Sequence, residues 1–91
     1  MLRSPFHPGH YLRQLLVEHK ISQAALARRI RVPLPDIEGI CDECSPMTAA
    51  VAVRLAMALG TAPEFWLNLQ SAYDLGRQKI ARTIRPLVKV A

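Results

Sequence analysis

SQAALARRIRVPLPDIEGIC, residues 22–41, reads as a short helix, a tight turn and a second short helix. Ser22 is a start signal, because its hydroxyl can accept a hydrogen bond from a backbone N–H one turn on. Leu26, Ala27 and Ile30 recur on one face, with Gln23, Arg28 and Arg29 off it. Pro33 and Pro35 sit where a new helix can begin, since a missing N–H costs nothing in a first turn. Ile37, Ile40 and Cys41 continue at helical spacing. Two short helices joined this way form a helix-turn-helix, whose second helix can enter a DNA major groove. The same spacing also suits an ordinary pair of packed helices.

On the N-terminal side, residues 1–7 are expected to be a flexible start. His7-Pro8-Gly9 then leads into a helix ending at His19, with Leu12, Leu15 and Leu16 as its buried stripe. On the C-terminal side, the polar loop DECSP follows Cys41, and Pro46 bars a helix there. Thr48 is a good cap for an alanine-rich helix over 48–59, whose core face is Ala52, Leu55, Ala56 and Leu59. Gly60 stops that helix in the left-handed position. Thr61 and Pro63 restart the chain, with Glu64 in the first turn. The spacing predicts a fifth helix from Pro63 to about Ala81, with Trp66, Leu69 and Tyr73 on one stripe, flanked by Phe65 and Leu75. Its far end should project or pack on a second copy. Pro86 argues against helix in the tail, where Leu87, Val88 and Val90 suit a short strand or a docked segment. The expected fold is all-α: a compact five-helix domain over residues 1–75, then a basic helix end and tail over 76–91.

Composition agrees. The chain is 51% hydrophobic yet only 5% aromatic, so alanine and leucine carry the core, which favours closely packed helices. A chain of 91 residues suits one domain of modest stability, which a dimer would help. No apolar run approaches a membrane span and no signal-peptide core precedes His7, so a soluble, cytoplasmic protein is expected. The formal charge of +5 lies wholly in the last residues: 1–75 balance, while 76–91 hold Arg77, Lys79, Arg82, Arg85 and Lys89 without an acid. Such a tail suits a polyanion or an acidic protein, or simply a solvated helix end.

Cys41 and Cys44 form a single C-x-x-C. A zinc site would need His7, His10 or His19 from the far N-terminus, and a redox motif would want a βαβ context. Asp42 and Glu43 oppose thiolate formation. Cys41 is therefore read as a core residue, Cys44 as a loop residue, and neither metal nor cofactor is expected. There are no paired carboxylates in an apolar setting, no nucleophile with a base and no phosphate loop, so an enzyme is not expected.

Four features together resemble the HigA-type antitoxins, a branch of the Xre/lambda-repressor-like helix-turn-helix proteins: HPGHYLRQLL, SQAALARRI, AVRLAMALGTAPEFWLNLQSAYDL and the overall length. The run Gly60 to Gln70 is the most specific. The resemblance covers residue 7 to about 75 and implies a dimer through the C-terminal region. It also implies binding of a RelE-like, HigB-like mRNA-cleaving toxin encoded beside it, and repression of its own operon through operator DNA. An alternative is a protein-interaction module of the same fold with weak or lost DNA reading.

The DNA-contacting positions implied by the resemblance depart from the family's pattern. Leu34, Pro35, Glu38 and Gly39 stand where related repressors usually carry Ser, Thr, Gln, Arg or Asn. Leu34 suits a thymine methyl and Glu38 a cytosine amino group, and neither is a bidentate reader. Arg31 occupies a turn position that is commonly glycine. Asp36, Glu38, Asp42 and Glu43 make the second helix and its exit acidic, which opposes phosphate. The candidate DNA set is thus Gln23, Arg28, Arg29, Arg31, Leu34, Pro35, Asp36, Glu38 and Gly39. The arginines either meet phosphates or pair with Asp36, Glu38 and Asp42 as surface salt bridges. Trp66, Tyr73, Arg77, Arg82 and Arg85 are the candidate dimer or toxin contacts, though aromatics on a helical stripe also suit a core. Asn68 and Gln70 lie on other faces and suit bonds to neighbouring loops.

Overall fold

The computed structural model describes residues 6–78 and 85–88. Five helices follow in order: α1 (Pro8–Glu18), α2 (Gln23–Ile30), α3 (Leu34–Cys41), α4 (Ala49–Leu59) and α5 (Pro63–Gly76). No strand occurs among the described residues. The starts are those the caps dictate: Ser22 Oγ accepts from Ala25 N at 3.0 Å, and Thr48 Oγ1 accepts from Val51 N at 3.3 Å. Gly60 ends α4 at φ +75°, a left-handed turn that glycine enters freely.

α1 packs on α3 and α5, α2 packs on α3 and α4, and α4 packs on α5. The expected stripes form one core of Leu12, Leu16, Leu26, Ala27, Ile30, Ile37, Ile40, Cys41, Ala52 and Leu55. Met47, Val51 and Trp66 complete it. Ala56, Leu59 and Leu15 are only half-buried.

Two polar contacts lock the loops to this core. Met47 N donates to Gln70 Oε1 at 2.7 Å, and Gln70 Nε2 donates to Asp74 at 2.9 Å, so Gln70 does bond a neighbouring loop. Trp66 is fully buried and its Nε1 donates to Thr61 Oγ1 at 2.7 Å. A buried indole with its one donor satisfied is a core anchor.

α1 and α3 approach so closely that a Cβ at Gly9 would collide with the Ile40 carbonyl. Arg13, one turn further along α1, donates to the Cys41 carbonyl at the end of α3 and pairs with Glu43 at 3.2 Å. The back of α3 is thereby fixed to α1 by backbone contact and a guanidinium.

Three expectations need correction. α5 ends at Gly76, before the expected Ala81, because glycine is a poor helix former and Arg77 and Gln78 close a turn onto Asp74 and Leu75. Leu87 and Val88 are neither strand nor docked: both lie in a bend, exposed to 102% and 71%. His7 does not belong to a flexible start. It is buried, and its Nδ1 accepts from Gly9 N at 2.9 Å as the N-cap of α1. Residues 1–5, 79–84 and 89–91, which include Val90, lie outside the described residues.

The two glycines should respond to alanine for different reasons. Gly9→Ala must part α1 from α3 and is expected to cost about 3 kcal/mol, the upper range for overpacking. Gly60→Ala meets nothing within 4 Å and is expected to lose only the roughly 1–2 kcal/mol of a left-handed residue. Denaturant midpoints check both; a Gly9→Ala chain as stable as the parent would show that the helices have room.

Candidate nucleic-acid interface

α2 and α3 present different chemistry at their starts. Ser22 satisfies Ala25 N, while Gln23 N and Ala24 N have no acceptor within the first turn of α2. These two N–H groups and the half-buried Gln23 side chain make a donor set suited to one phosphate. The start of α3 is poorer. Pro35 has no N–H, and Asp36 N and Ile37 N both bond the Pro33 carbonyl, at 3.0 and 3.3 Å.

With Ile37, Ile40 and Cys41 buried, helical geometry turns Pro35, Glu38 and Asp42 outward from α3, while Leu34 packs partly against the core. Leu34 is half-buried, the other three are exposed, and Asp36 is exposed at the edge. Gly39 is not open in the same way. A Cβ there would lie 2.6 Å from Ser45 Oγ, because the loop after α3 folds back to bond the Gly39 carbonyl through Cys44 N and Ser45 N. The outward side of α3 is therefore short, with Pro35 and the exposed part of Leu34 at its tip and acids behind.

The arginines do not join that face. Asp36, Glu38 and Asp42 do not pair with them; the ion pair among the described residues is Arg13–Glu43. α2 lies between α3 and α4, and Arg29 stands on the α4 side, lining a cleft with Arg31, Arg54, Met57 and Ala58. Arg28 lies on the outer surface of α2, and Arg31 in the turn. Arg31 has φ +60°, so a side-chain-bearing residue occupies a left-handed position that glycine fills without strain. Arg54 and Met57 were not singled out from sequence. The signal was present: Arg54 is the lone charge in the alanine-rich helix, and Ala50, Val53 and Met57 recur off its core face.

Of the candidate partner contacts, Trp66 is corrected, since a fully buried indole offers no surface. Tyr73 is half-buried, edge-on to His7 at 4.9 Å, and its hydroxyl accepts from Arg77 at 2.6 Å. Arg85 is exposed, and Arg82 lies outside the described residues. Cys41 is buried, which pushes its thiol up to about 11, and Cys44 is exposed in the loop. Among the described residues no three His, Cys, Asp or Glu side chains stand together as a metal set, and no helix is long and apolar enough to cross a membrane.

This geometry has named counterparts. No family-wide sequence profile matches the chain. Antitoxin HigA-1 of Vibrio cholerae is 36% identical over 91 residues, covering 93% of this chain and 86% of its own length. The chain belongs to the HigA antitoxin family. The Pseudomonas aeruginosa antitoxin HigA, solved with the higBA promoter, matches this HigA-family fold at TM-score 0.82 and 41% identity, over 92% of this chain and 99% of its own. Antitoxin GraA in complex with its operator matches at TM-score 0.73 and 45% identity, over 81% and 75%. An uncharacterised helix-turn-helix regulator of Haemophilus influenzae is 38% identical, over 82% of this chain and 71% of its own. HigA proteins are helix-turn-helix regulators, and their family is not an enzyme family.

Two measurements test the local chemistry. Arg31→Gly should leave the fold intact and raise stability by up to about 1 kcal/mol, by removing left-handed strain; a loss of stability would mean the arginine side chain anchors the turn. Burial lowers the His7 pKa from the ordinary 6.5, against the raising pull of Glu43, a backbone bond at Ser45 and Asp74. The unfolded chain then takes a proton that the folded one refuses, so stability is full above 6.5 and falls as pH drops below it. His7→Asn keeps a capping acceptor without titrating. The melting temperature of the parent should fall more steeply than that of His7→Asn between about pH 7 and pH 5, and equal slopes would rule His7 out as the cause.

Proposed function

We propose that this chain is an antitoxin that represses its own operon by binding operator DNA as a homodimer and neutralises a RelE-like, HigB-like mRNA-cleaving toxin encoded beside it, in the cytoplasm. The observation that carries the DNA half is the joint geometry of α2 and α3. The open, capped start of α2 offers two N–H groups and Gln23 to a phosphate. The start of α3 offers Pro35 and the exposed part of Leu34 to thymine methyls and Glu38 to a cytosine amino group. Relatives of this fold are solved with the higBA promoter and with an operator, which supports the reading.

Charge sets the character of the complex. Asp36, Glu38 and Asp42 repel phosphate, and none of the three forms an ion pair among the described residues. Arg29 faces α4. The toxin and dimer contacts fall to the remaining surfaces, with Tyr73 and Arg77 at the exposed end of α5 and Arg82 and Arg85 beyond it. The acidity of α3 also favours the second reading, an interaction module whose DNA binding is weak.

Fluorescence anisotropy with the native upstream duplex separates the two. The operator reading predicts that Gln23→Ala weakens binding and Glu38→Gln tightens phosphate contact while relaxing sequence preference. Affinity should fall by less than about a thousandfold between roughly 50 and 200 mM salt, because few phosphates are neutralised. No binding by the dimer at low salt leaves the second reading standing. Co-expression with the neighbouring gene product tests the toxin half; a product that fails to co-purify refutes it.

A further inference from the structure

We infer that the α2–α4 face is a docking surface for an acidic amphipathic helix of another protein. It lies apart from the groove-facing tip of α3, and the inference does not depend on the antitoxin reading. On α4, Val51, Ala52 and Leu55 are buried, so Ala50, Val53 and Met57 fall on the outward side at i, i+3 and i+7. Met57 is 83% exposed and Val53 46%. Cations border this apolar stripe. Arg29 and Arg54 line one cleft with Met57, and Lys20 and Arg29 line the adjoining cleft with Ala58 and Leu59. Among the described residues, no carboxylate lines either cleft.

Arg54 is held in place, its Nη1 donating to the Ile30 carbonyl at 2.8 Å at the end of α2. Less rotamer freedom is then lost when a partner carboxylate binds it. Exposed methionine beside arginine is the composition of an interface centre rather than of a solvated face.

Complementarity selects the occupant. A second copy docked by a two-fold axis through this face would bring two surfaces carrying the same cations, Arg29 and Arg54, together with no carboxylate between them among the described residues. Nucleic acid would use the cations and leave Val53 and Met57 without a function, since phosphate contact requires no apolar stripe. A helix with one apolar row flanked by carboxylates covers the stripe and neutralises the cations together.

The test uses the full chain and a synthetic helical peptide of about 15 residues with leucine on one face and glutamate beside it, read by backbone amide shifts. Controls are the glutamine-for-glutamate peptide, a polyglutamate without leucine, and a duplex of roughly 20 base pairs. The expected result is binding of the Leu/Glu peptide, with shifts centred on Arg29, Arg54 and Met57. Arg29→Gln and Met57→Gln should each weaken it by about fivefold or more, with unchanged melting temperatures, as both side chains are exposed. Equal binding by the Met57→Gln chain, or by the glutamine peptide, overturns the inference. So does concentration-dependent self-association through Met57. An operator salt slope that falls by about one in Arg29→Gln would make the surface a phosphate grip, which also overturns it.

Discussion

The placement of α3 is set by one close approach. Gly9 brings α1 against the Ile40 carbonyl at a distance no side chain would permit, and Arg13 reaches from the same helix to the last turn of α3. Everything on α3 follows from that contact. Ile37, Ile40 and Cys41 must face inward, Pro35, Glu38 and Asp42 outward, and Leu34 lies at the border, partly packed on the core. α2 is then placed between α3 and α4, which decides where its arginines point.

That placement separates two chemistries that the sequence runs together. Residues 28–31 are strongly basic and residues 36–43 strongly acidic, only a turn apart. In three dimensions they do not neutralise each other. Arg29 joins Arg54 beside an apolar stripe of α4, whereas the acids stand on the outward side and exit of α3. On the proposed operator reading, a surface with acids at its centre binds through a few well-placed donors, and the open start of α2 offers them.

The helices were legible because each has a local cause: Ser22 and Thr48 as caps, Gly60 as a stop, and apolar stripes of period 3.6. The family resemblance in Gly60 to Gln70 also held, and Trp66 and Gln70 explain its specificity, one filling the core and the other holding Met47. What sequence did not show depends on contacts between distant positions. His7 reads as part of a loose start until α5 places Tyr73 beside it and burial makes it a cap. Trp66 reads equally as core or interface until neighbouring helices close over it. Arg54 reads as one charge in an alanine helix until α2 delivers the Ile30 carbonyl and Arg29. The end of α5 was overestimated because the apolar stripe continues past Gly76, and the glycine's cost outweighed it.

The central claim is that the acidic, proline-led α3 still faces DNA while α2 provides the grip. Amide chemical-shift mapping of the chain titrated with its own upstream duplex tests this most directly. The account predicts the largest changes at Gln23, Ala24, Leu34 and Glu38, with Arg54 and Met57 unmoved. Changes centred on Arg29, Arg54 and Met57, with α3 silent, would contradict it.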